Sequence, residues 1–269
     1  MPIAEETFNS LPEFILKACN IPTLFDCHPS NVWFRGVADS NHELLPGVIW
    51  RGILPETEES MVGSFLRKFE GLGGMEPRNG LEAYVLMQHY GLPTRLLDWT
   101  VSALVALYFS LETEKTEGRR TVWAMSASCL NKISTNVYTQ LFPRGFQDCH
   151  ISEYLPVTLQ SSQVTAIEDS ETDNPISFTH PYTNNRLRAQ SGCFTFHGKN
   201  KDSISEWFAK NGNENIVKLI LEEEISRNSI LMQLHTLGYK EDDIYQDLNA
   251  LSRRITREHS LLFSPPTGL

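Results

Sequence analysis

The sequence lacks the short motifs that mark the common catalytic classes. It contains no G-x-x-x-x-G-K-S/T, G-x-G-x-x-G, H-E-x-x-H or G-x-S-x-G, and no internal repeat is visible. Its eight histidines are scattered and show no metal-ligand spacing. These absences count against the standard nucleotide-binding loops, metalloproteases, serine hydrolases and a metal site.

Cysteines are few, and long apolar runs are missing. The five cysteines contain no C-x-x-C pair, which favours free thiols in a reducing compartment. They are Cys19, Cys27, Cys129, Cys149 and Cys193. The sequence has no run of about 18 apolar residues, and its first residues lack the basic and apolar segments of a secretory signal. We therefore expect a soluble, cytoplasmic protein without a membrane partner.

Positive charge is also scarce. The 23 lysines and arginines are outnumbered by 33 acidic residues, which gives a formal net charge of −10. Nucleic acids and anionic membranes are usually bound by clustered Lys and Arg, so this balance disfavours an enzyme that acts on nucleic acid. The 269 residues are 41% hydrophobic, which is enough for a sizeable core and argues against disorder.

The stretch 88–100, QHYGLPTRLLDWT, is the most informative part of the sequence because it joins polar, charged and turn residues to an apolar run. Its glycine and proline end the preceding helical pattern, and residues 94–98 have the pattern of a short extended segment. Residues 103–109 follow as a helix that is apolar on every face, with Thr100 or Ser102 as its N-cap. We therefore expect this helix to lie in the core.

The buried helix should bring polar side chains of the stretch inside the fold. A buried arginine needs a carboxylate, and Asp98 is the nearest to Arg95 in sequence, which predicts a buried ion pair. Two compatible hypotheses follow. Either the pair is structural and pins the core helix, or the stretch forms a ligand pocket. The polar wall of that pocket would consist of His89, Thr94, Asp98 and Thr100.

Strand and helix patterns mix without regular alternation, which predicts a single α+β domain. Helices are expected at 8–20, 58–71, 81–90, 222–238 and 242–258, and strands at 32–36, 121–125, 193–196 and 216–221. Residues 1–19 are expected to form a helical lead-in to a domain at 20–263. A long irregular insertion is expected at about 129–180, with an acidic run at 168–173.

Arg35 and Gly36 stand at the end of the strand expected at 32–36. A salt bridge at the strand end is the ordinary explanation for such an arginine. The glycine favours a second explanation, because it permits the close approach of an anionic ligand or of another backbone.

Three blocks of the sequence resemble the FRG domain family, which is named for its Phe-Arg-Gly motif. The blocks are 33–36 (WFRG) with 44–46 (LLP), 88–100 with 106–109 (ALYF), and 188–195 (RAQSGCFT). The stretch 237–248 is similar to the end of that domain, so the resemblance covers roughly residues 20–258.

The order of the blocks is also similar, more distantly, to the three-motif plan of ADP-ribosyltransferases. That resemblance implies a split mixed or antiparallel sheet flanked by helices, with NAD as co-substrate and no metal. Arg35 would steady the NAD phosphate and ribose, and Thr94 or Thr100 would organise the nicotinamide pocket. Gln190 would stand where a glutamate holds a ribose hydroxyl. The expected cofactor-binding set is Arg35, Gly36, His89, Thr94 and Thr100.

Gln190 departs from that plan because it brings no negative charge to an oxocarbenium-like transition state. Asp98 or Glu43 would have to supply the carboxylate, and the expected catalytic set is Gln190 and Asp98. The leading hypothesis is an ADP-ribosyltransferase or NAD-cleaving toxin or bacterial defence effector, with an unidentified protein or nucleic-acid acceptor. The alternative is a non-catalytic module that binds a nucleotide or a protein, with the acidic run at 168–173 as a contact surface.

Overall fold

The chain forms one seven-stranded mixed sheet with helices on both faces. The computed structural model describes residues 3–72, 77–114, 118–138, 151, 153–160, 173–181 and 185–263. The mixed sheet flanked by helices that the resemblance implied is therefore confirmed. Within the described ranges, no helix has both the length and the apolar character needed to span a bilayer.

The sheet is antiparallel except at one edge. In chain order, its strands are β1 (Ala4–Phe8), β2 (Val32–Val37), β3 (Leu96–Thr100), β4 (Thr121–Ser126), β5 (Ile176–Phe178), β6 (Gly192–Phe196) and β7 (Ile216–Leu221). Their order across the sheet is β1-β7-β4-β2-β3-β6-β5. β1 is parallel to β7, and every other neighbouring pair is antiparallel.

Helices connect most of the strands. They are α1 (Leu11–Leu24), α2 (Gly47–Trp50), α3 (Pro55–Phe69), α4 (Gly80–His89), α5 (Ala103–Glu112), α6 (Ala127–Thr135), α7 (Asn185–Ala189), α8 (Ile204–Lys210), α9 (Arg227–Thr236), α10 (Glu241–Tyr245) and α11 (Leu248–Phe263). Short 3-10 turns occur at Pro29–Asn31, Glu70–Leu72 and Val157–Leu159.

Two apolar clusters share one face of the sheet. The first lies over β1, β7, β4 and β2, where α1, α5 and α9 pack against side chains such as Phe34. The second lies over β3, β6 and β5, where α3 and α4 pack against side chains such as Leu96. Phe34 pairs with Thr100, and strand alternation gives Thr100 the same face as Asp98 and Leu96. α5 and α4 therefore cover adjacent halves of one face, with the junction of β2 and β3 between them.

The opposite face carries a third cluster, which is rich in tryptophan. Trp33, Trp99 and Trp123 pack there with residues of α6 and α8. This cluster is buried, so the sheet is covered on both faces.

A close backbone approach at Gly36 seats α5 on the sheet. A Cβ atom at this position would lie 1.8 Å from the carbonyl oxygen of Ala106, so only glycine fits here. The close approach that the sequence suggested for Gly36 is thus made by the backbone of α5. Ser102 is the N-cap of this helix, because its side chain accepts a hydrogen bond from the Val105 amide.

The beginning of the chain joins the sheet. The sequence patterns did not reveal β1, which pairs with β7, and α1 packs in the first apolar cluster. Ser10 caps α1, in agreement with the expected helix at 8–20. Of residues 129–180, the described parts include most of α6 and the edge strand β5, whereas residues 168–172 of the acidic run lie outside the described residues.

The single helix predicted at 242–258 is wrong. The chain instead breaks between α10 and α11, where Gln246 adopts a left-handed conformation with φ of 55°. The Asp247 side chain accepts a hydrogen bond of 2.7 Å from the Ala250 amide and so caps α11.

Candidate functional site

A cavity of about 280 Å³ lies between α4 and α5, above the junction of β2 and β3. Its walls also include residues of β6 and α7. Six of the seven site residues predicted from the sequence line it: Arg35, Gly36, His89, Asp98, Thr100 and Gln190. The fold therefore brings together side chains from three separate blocks of the sequence.

The cavity begins where the sheet opens. β2 and β3 are paired at Phe34 and Thr100, and the strands part beyond that pair. There the Arg35 guanidinium donates a hydrogen bond of 2.5 Å from Nη1 to the backbone oxygen of Asp98. Arg35 thus bridges the two strands at the floor of the cavity and still has other N–H donors.

The predicted ion pair between Arg95 and Asp98 is wrong. Residues three apart on a strand point to opposite faces, and the Asp98 side chain is exposed at the cavity. The carboxylate partner of Arg95 is Glu58 of α3, at 3.1 Å from Nε. Tyr84 of α4 donates its hydroxyl hydrogen to Glu58 and accepts a hydrogen bond from the Arg95 amide. This network holds α3, α4 and β3 together away from the cavity wall.

Asp98 is held by a short chain of hydrogen bonds. Gln88 Nε2 donates to Asp98 Oδ2 at 2.6 Å, and the Thr94 hydroxyl donates to Gln88 Oε1 at 2.5 Å. The Leu96 amide donates to Thr94 Oγ1 and so completes the orientation of that hydroxyl. Thr94 is fully buried and does not line the cavity. Thr94 therefore orients Gln88, which in turn holds Asp98.

Arg35 keeps its charge without a carboxylate partner. Among the residues that the structure describes, it forms no ion pair. Burial lowers the pKa of Arg35, and the nearby charge of Asp98 opposes that shift. An arginine remains protonated under such conditions. The cavity therefore contains a cation that is able to bind an anion.

His89 lies on the wall formed by α4. Burial and the positive charge of Arg186 lower its pKa, while Asp98 and Asp247 act in the opposite direction. This shift favours the neutral ring, which can donate one hydrogen bond and accept another.

Thr100 and Gln190 close the far end of the cavity. The Thr100 hydroxyl donates to the backbone oxygen of Gln190 at 2.7 Å and accepts from the Ser102 amide. Its donor is therefore already used within the protein. The side-chain Nε2 of Gln190 is buried and has no hydrogen-bond partner in the described part of the chain. Buried polar groups are usually satisfied, so this amide is a candidate ligand contact.

Sequence reasoning missed three polar residues of the cavity: Gln88, Glu112 and Arg186. Arg186 precedes Gln190 by four residues, a spacing that puts both on one face of a helix and could have revealed it. Glu112 likewise follows Phe109 by three residues in α5. Glu43, the other carboxylate proposed, is exposed and does not line the cavity.

Over the described ranges, no cluster of three or more His, Cys, Asp or Glu side chains could hold a metal ion. The residues that could hold a ligand are instead the cation of Arg35, the unpaired amide of Gln190 and the carboxylate of Asp98. This set suits a polar organic ligand that bears negative charge.

Comparison with known proteins gives one match, which covers part of the chain. No curated protein and no solved structure matches it. The resemblance to ADP-ribosyltransferases therefore has no support from the comparisons. The sequence model of the FRG domain matches residues 30–119, about a third of the chain, which includes Arg35, His89 and Asp98 but not Gln190. Residues 30–119 are thus identified as matching the FRG domain.

Proposed function

We propose that the cavity binds a nucleotide of the NAD type and cleaves its N-glycosidic bond. The observation that carries the proposal is that one cavity contains the cation of Arg35 and the carboxylate of Asp98, which form no ion pair with each other. Arg35 has no described ion pair, and Asp98 is hydrogen-bonded to the neutral amide of Gln88. A ligand with negative phosphates and a ribose that becomes positive during reaction complements both groups.

The size of the cavity limits how NAD would fit. Ligand pockets commonly measure about 300–1,000 Å³, and this cavity, at about 280 Å³, is slightly smaller than that range. It can enclose the reacting half of a dinucleotide, while the remainder extends towards solvent. Aromatic side chains on its walls, among them Phe109 and Phe194, offer flat apolar surfaces to a ring.

The proposed chemistry assigns separate roles to Arg35 and Asp98. Arg35 would hold a phosphate, and Asp98 would stabilise the positive ribose as the C–N bond to nicotinamide breaks. The bonding electrons leave with the nicotinamide nitrogen and neutralise its ring. Water or an acceptor nucleophile then attacks the ribose carbon and releases its proton to Asp98 or to solvent.

Incubation of the protein with labelled NAD and a cell lysate tests this proposal. We expect nicotinamide release, with or without transfer of label to protein or nucleic acid. Asp98→Asn should lower the rate about 100- to 1,000-fold, by analogy with removal of one preorganised group. Asp243→Asn is a matched control, because Asp243 is exposed on α10 and does not line the cavity. Absence of nicotinamide release from the wild-type protein would rule out the proposed NAD-cleaving activity.

A non-catalytic nucleotide-binding module is the second candidate. It is favoured by Gln190, whose neutral amide stands on the cavity wall and contributes no charge to a positive transition state. Binding of NAD in calorimetry without any nicotinamide release would select this candidate.

Gln190→Glu helps to separate the two functions. Because the Gln190 amide makes no described hydrogen bond, the substitution breaks none, and the added charge would share the cavity with Arg35 and Arg186. In an enzyme, the added carboxylate should raise NAD cleavage by stabilising the positive ribose. In a binding module, it should only weaken the binding of an anionic nucleotide.

A further inference from the structure

Arg186 is a second arginine of the cavity that sequence reasoning did not assign. It lies on α7, four residues before Gln190, and lines the same cavity as Arg35. Its guanidinium lies over the ring of Tyr245, with 4.8 Å between the guanidinium carbon and the ring centroid. Like Arg35, it forms no ion pair with any described residue.

Tyr245 contacts both Arg186 and Glu112, two charged residues that line the cavity. The Tyr245 hydroxyl donates a hydrogen bond of 2.5 Å to Glu112 Oε1, while its ring supports Arg186. Phe109 contacts the same ring edge-on, at 6.1 Å between centroids. Stacking on an aromatic ring occupies the flat face of a guanidinium and leaves the N–H groups at its edge available.

We propose that Arg186 binds the second phosphate of a pyrophosphate in the nucleotide ligand. Tyr245 is the positioning residue that orients this arginine and occupies Glu112. The inference rests on the proposed function and extends it, because Arg35 alone would accept a nucleoside monophosphate equally well. Two separate arginines without carboxylate partners match two phosphates of one ligand.

The first test compares two arginines of the same helix. Arg186→Gln removes the second cation of the cavity and leaves Arg35, and Arg188→Gln makes the same change of charge at an exposed position outside the cavity. The calorimetric probes are ADP-ribose, nicotinamide mononucleotide and inorganic pyrophosphate. Loss of a charge-assisted hydrogen bond should weaken ADP-ribose and pyrophosphate binding about 10- to 100-fold. Mononucleotide affinity should change by less than about threefold, and Arg188→Gln should match the wild type.

The role of Tyr245 is tested by the ratio of the ADP-ribose affinity to the mononucleotide affinity. A purely structural role would not alter this ratio. Tyr245→Phe keeps the ring under Arg186 but leaves Glu112 without its hydroxyl partner. That carboxylate then competes for the arginine, so the preference for ADP-ribose over the mononucleotide should fall several-fold. Adding Glu112→Gln to Tyr245→Phe should restore the preference.

The outcomes separate this inference from the function on which it rests. If the wild type binds ADP-ribose and Arg186→Gln binds it equally well, the inference is wrong and the nucleotide site stands. If NAD and ADP-ribose do not bind but pyrophosphate binds through Arg186, the proposed function is wrong and the anion site stands. If the wild type binds none of the probes, both are wrong.

Discussion

The partner of Arg95 decides whether substitutions at Asp98 report on chemistry or on folding. In the structure, Arg95 pairs with Glu58, whose residue exposure is 4%, while Asp98 is exposed at the cavity. Glu58→Gln would leave Arg95 without a carboxylate and weaken the acceptor for the Tyr84 hydroxyl. Breaking a buried pair by removing one partner costs about 3–5 kcal/mol.

We expect Glu58→Gln to lower the free energy of unfolding by about 3 kcal/mol, at the lower end of that range. The Arg95 side chain is 20% exposed, so water can solvate part of the stranded charge. In a chain of this size, the loss corresponds to a decrease of roughly 6–12 °C in melting temperature. Asp98→Asn should cost no more than about 1 kcal/mol, because it changes one hydrogen bond at an exposed side chain.

Urea denaturation of both variants measures these costs. Glu56→Gln is the matched control on α3, because Glu56 is exposed in the first turn of the helix and forms no ion pair with any described residue. We expect Glu56→Gln to cost no more than about 1 kcal/mol, the usual contribution of a carboxylate near a helix N-terminus. A Glu58→Gln protein as stable as the wild type, or an Asp98→Asn protein that loses about 3 kcal/mol, would refute the assignment of the pair.

Two further predictions concern backbone approach and pH. Gly36→Ala should destabilise the protein by about 3 kcal/mol, because its Cβ would overlap the Ala106 oxygen. Gly63→Ala in α3 has room for the Cβ and should stabilise the protein by about 0.5–1 kcal/mol. Thermal denaturation of the two variants measures the difference. Burial lowers the pKa of His197 to about 4, so the unfolded chain binds an extra proton below pH 6.5. Stability should therefore decrease by about 3 kcal/mol as pH falls from 6.5 to 4, and His197→Phe should lose this contribution in urea denaturation across that range.

Local patterns in the sequence predicted most of the elements around the cavity. The apolar run 103–109 gave a core helix, and the breaks at Gly91 and Pro93 separated α4 from β3. These features depend on periodicity and turn residues, which act over a few positions. β1 was missed because only its last residue, Phe8, is buried, so the strand carries no apolar alternation.

The contacts that complete the site depend on pairs distant in sequence. Glu58 is 37 residues from Arg95, and Tyr245 is 133 residues from Glu112, so no local spacing connects either pair. One error was avoidable. Arg95 and Asp98 were placed in an extended segment, where a separation of three residues points side chains to opposite faces and excludes a direct pair.

Calorimetric titration of NAD tests the central claim most directly, with wild-type protein compared with Arg35→Gln. We expect the wild type to bind NAD and Arg35→Gln to bind it about 10- to 100-fold more weakly, because the variant loses a charge-assisted contact to phosphate. Arg51→Gln, at an exposed arginine on the ring of Trp50 outside the cavity, should bind like the wild type. Absence of NAD binding to the wild type, or equal affinity in Arg35→Gln, would contradict a nucleotide site at this cavity.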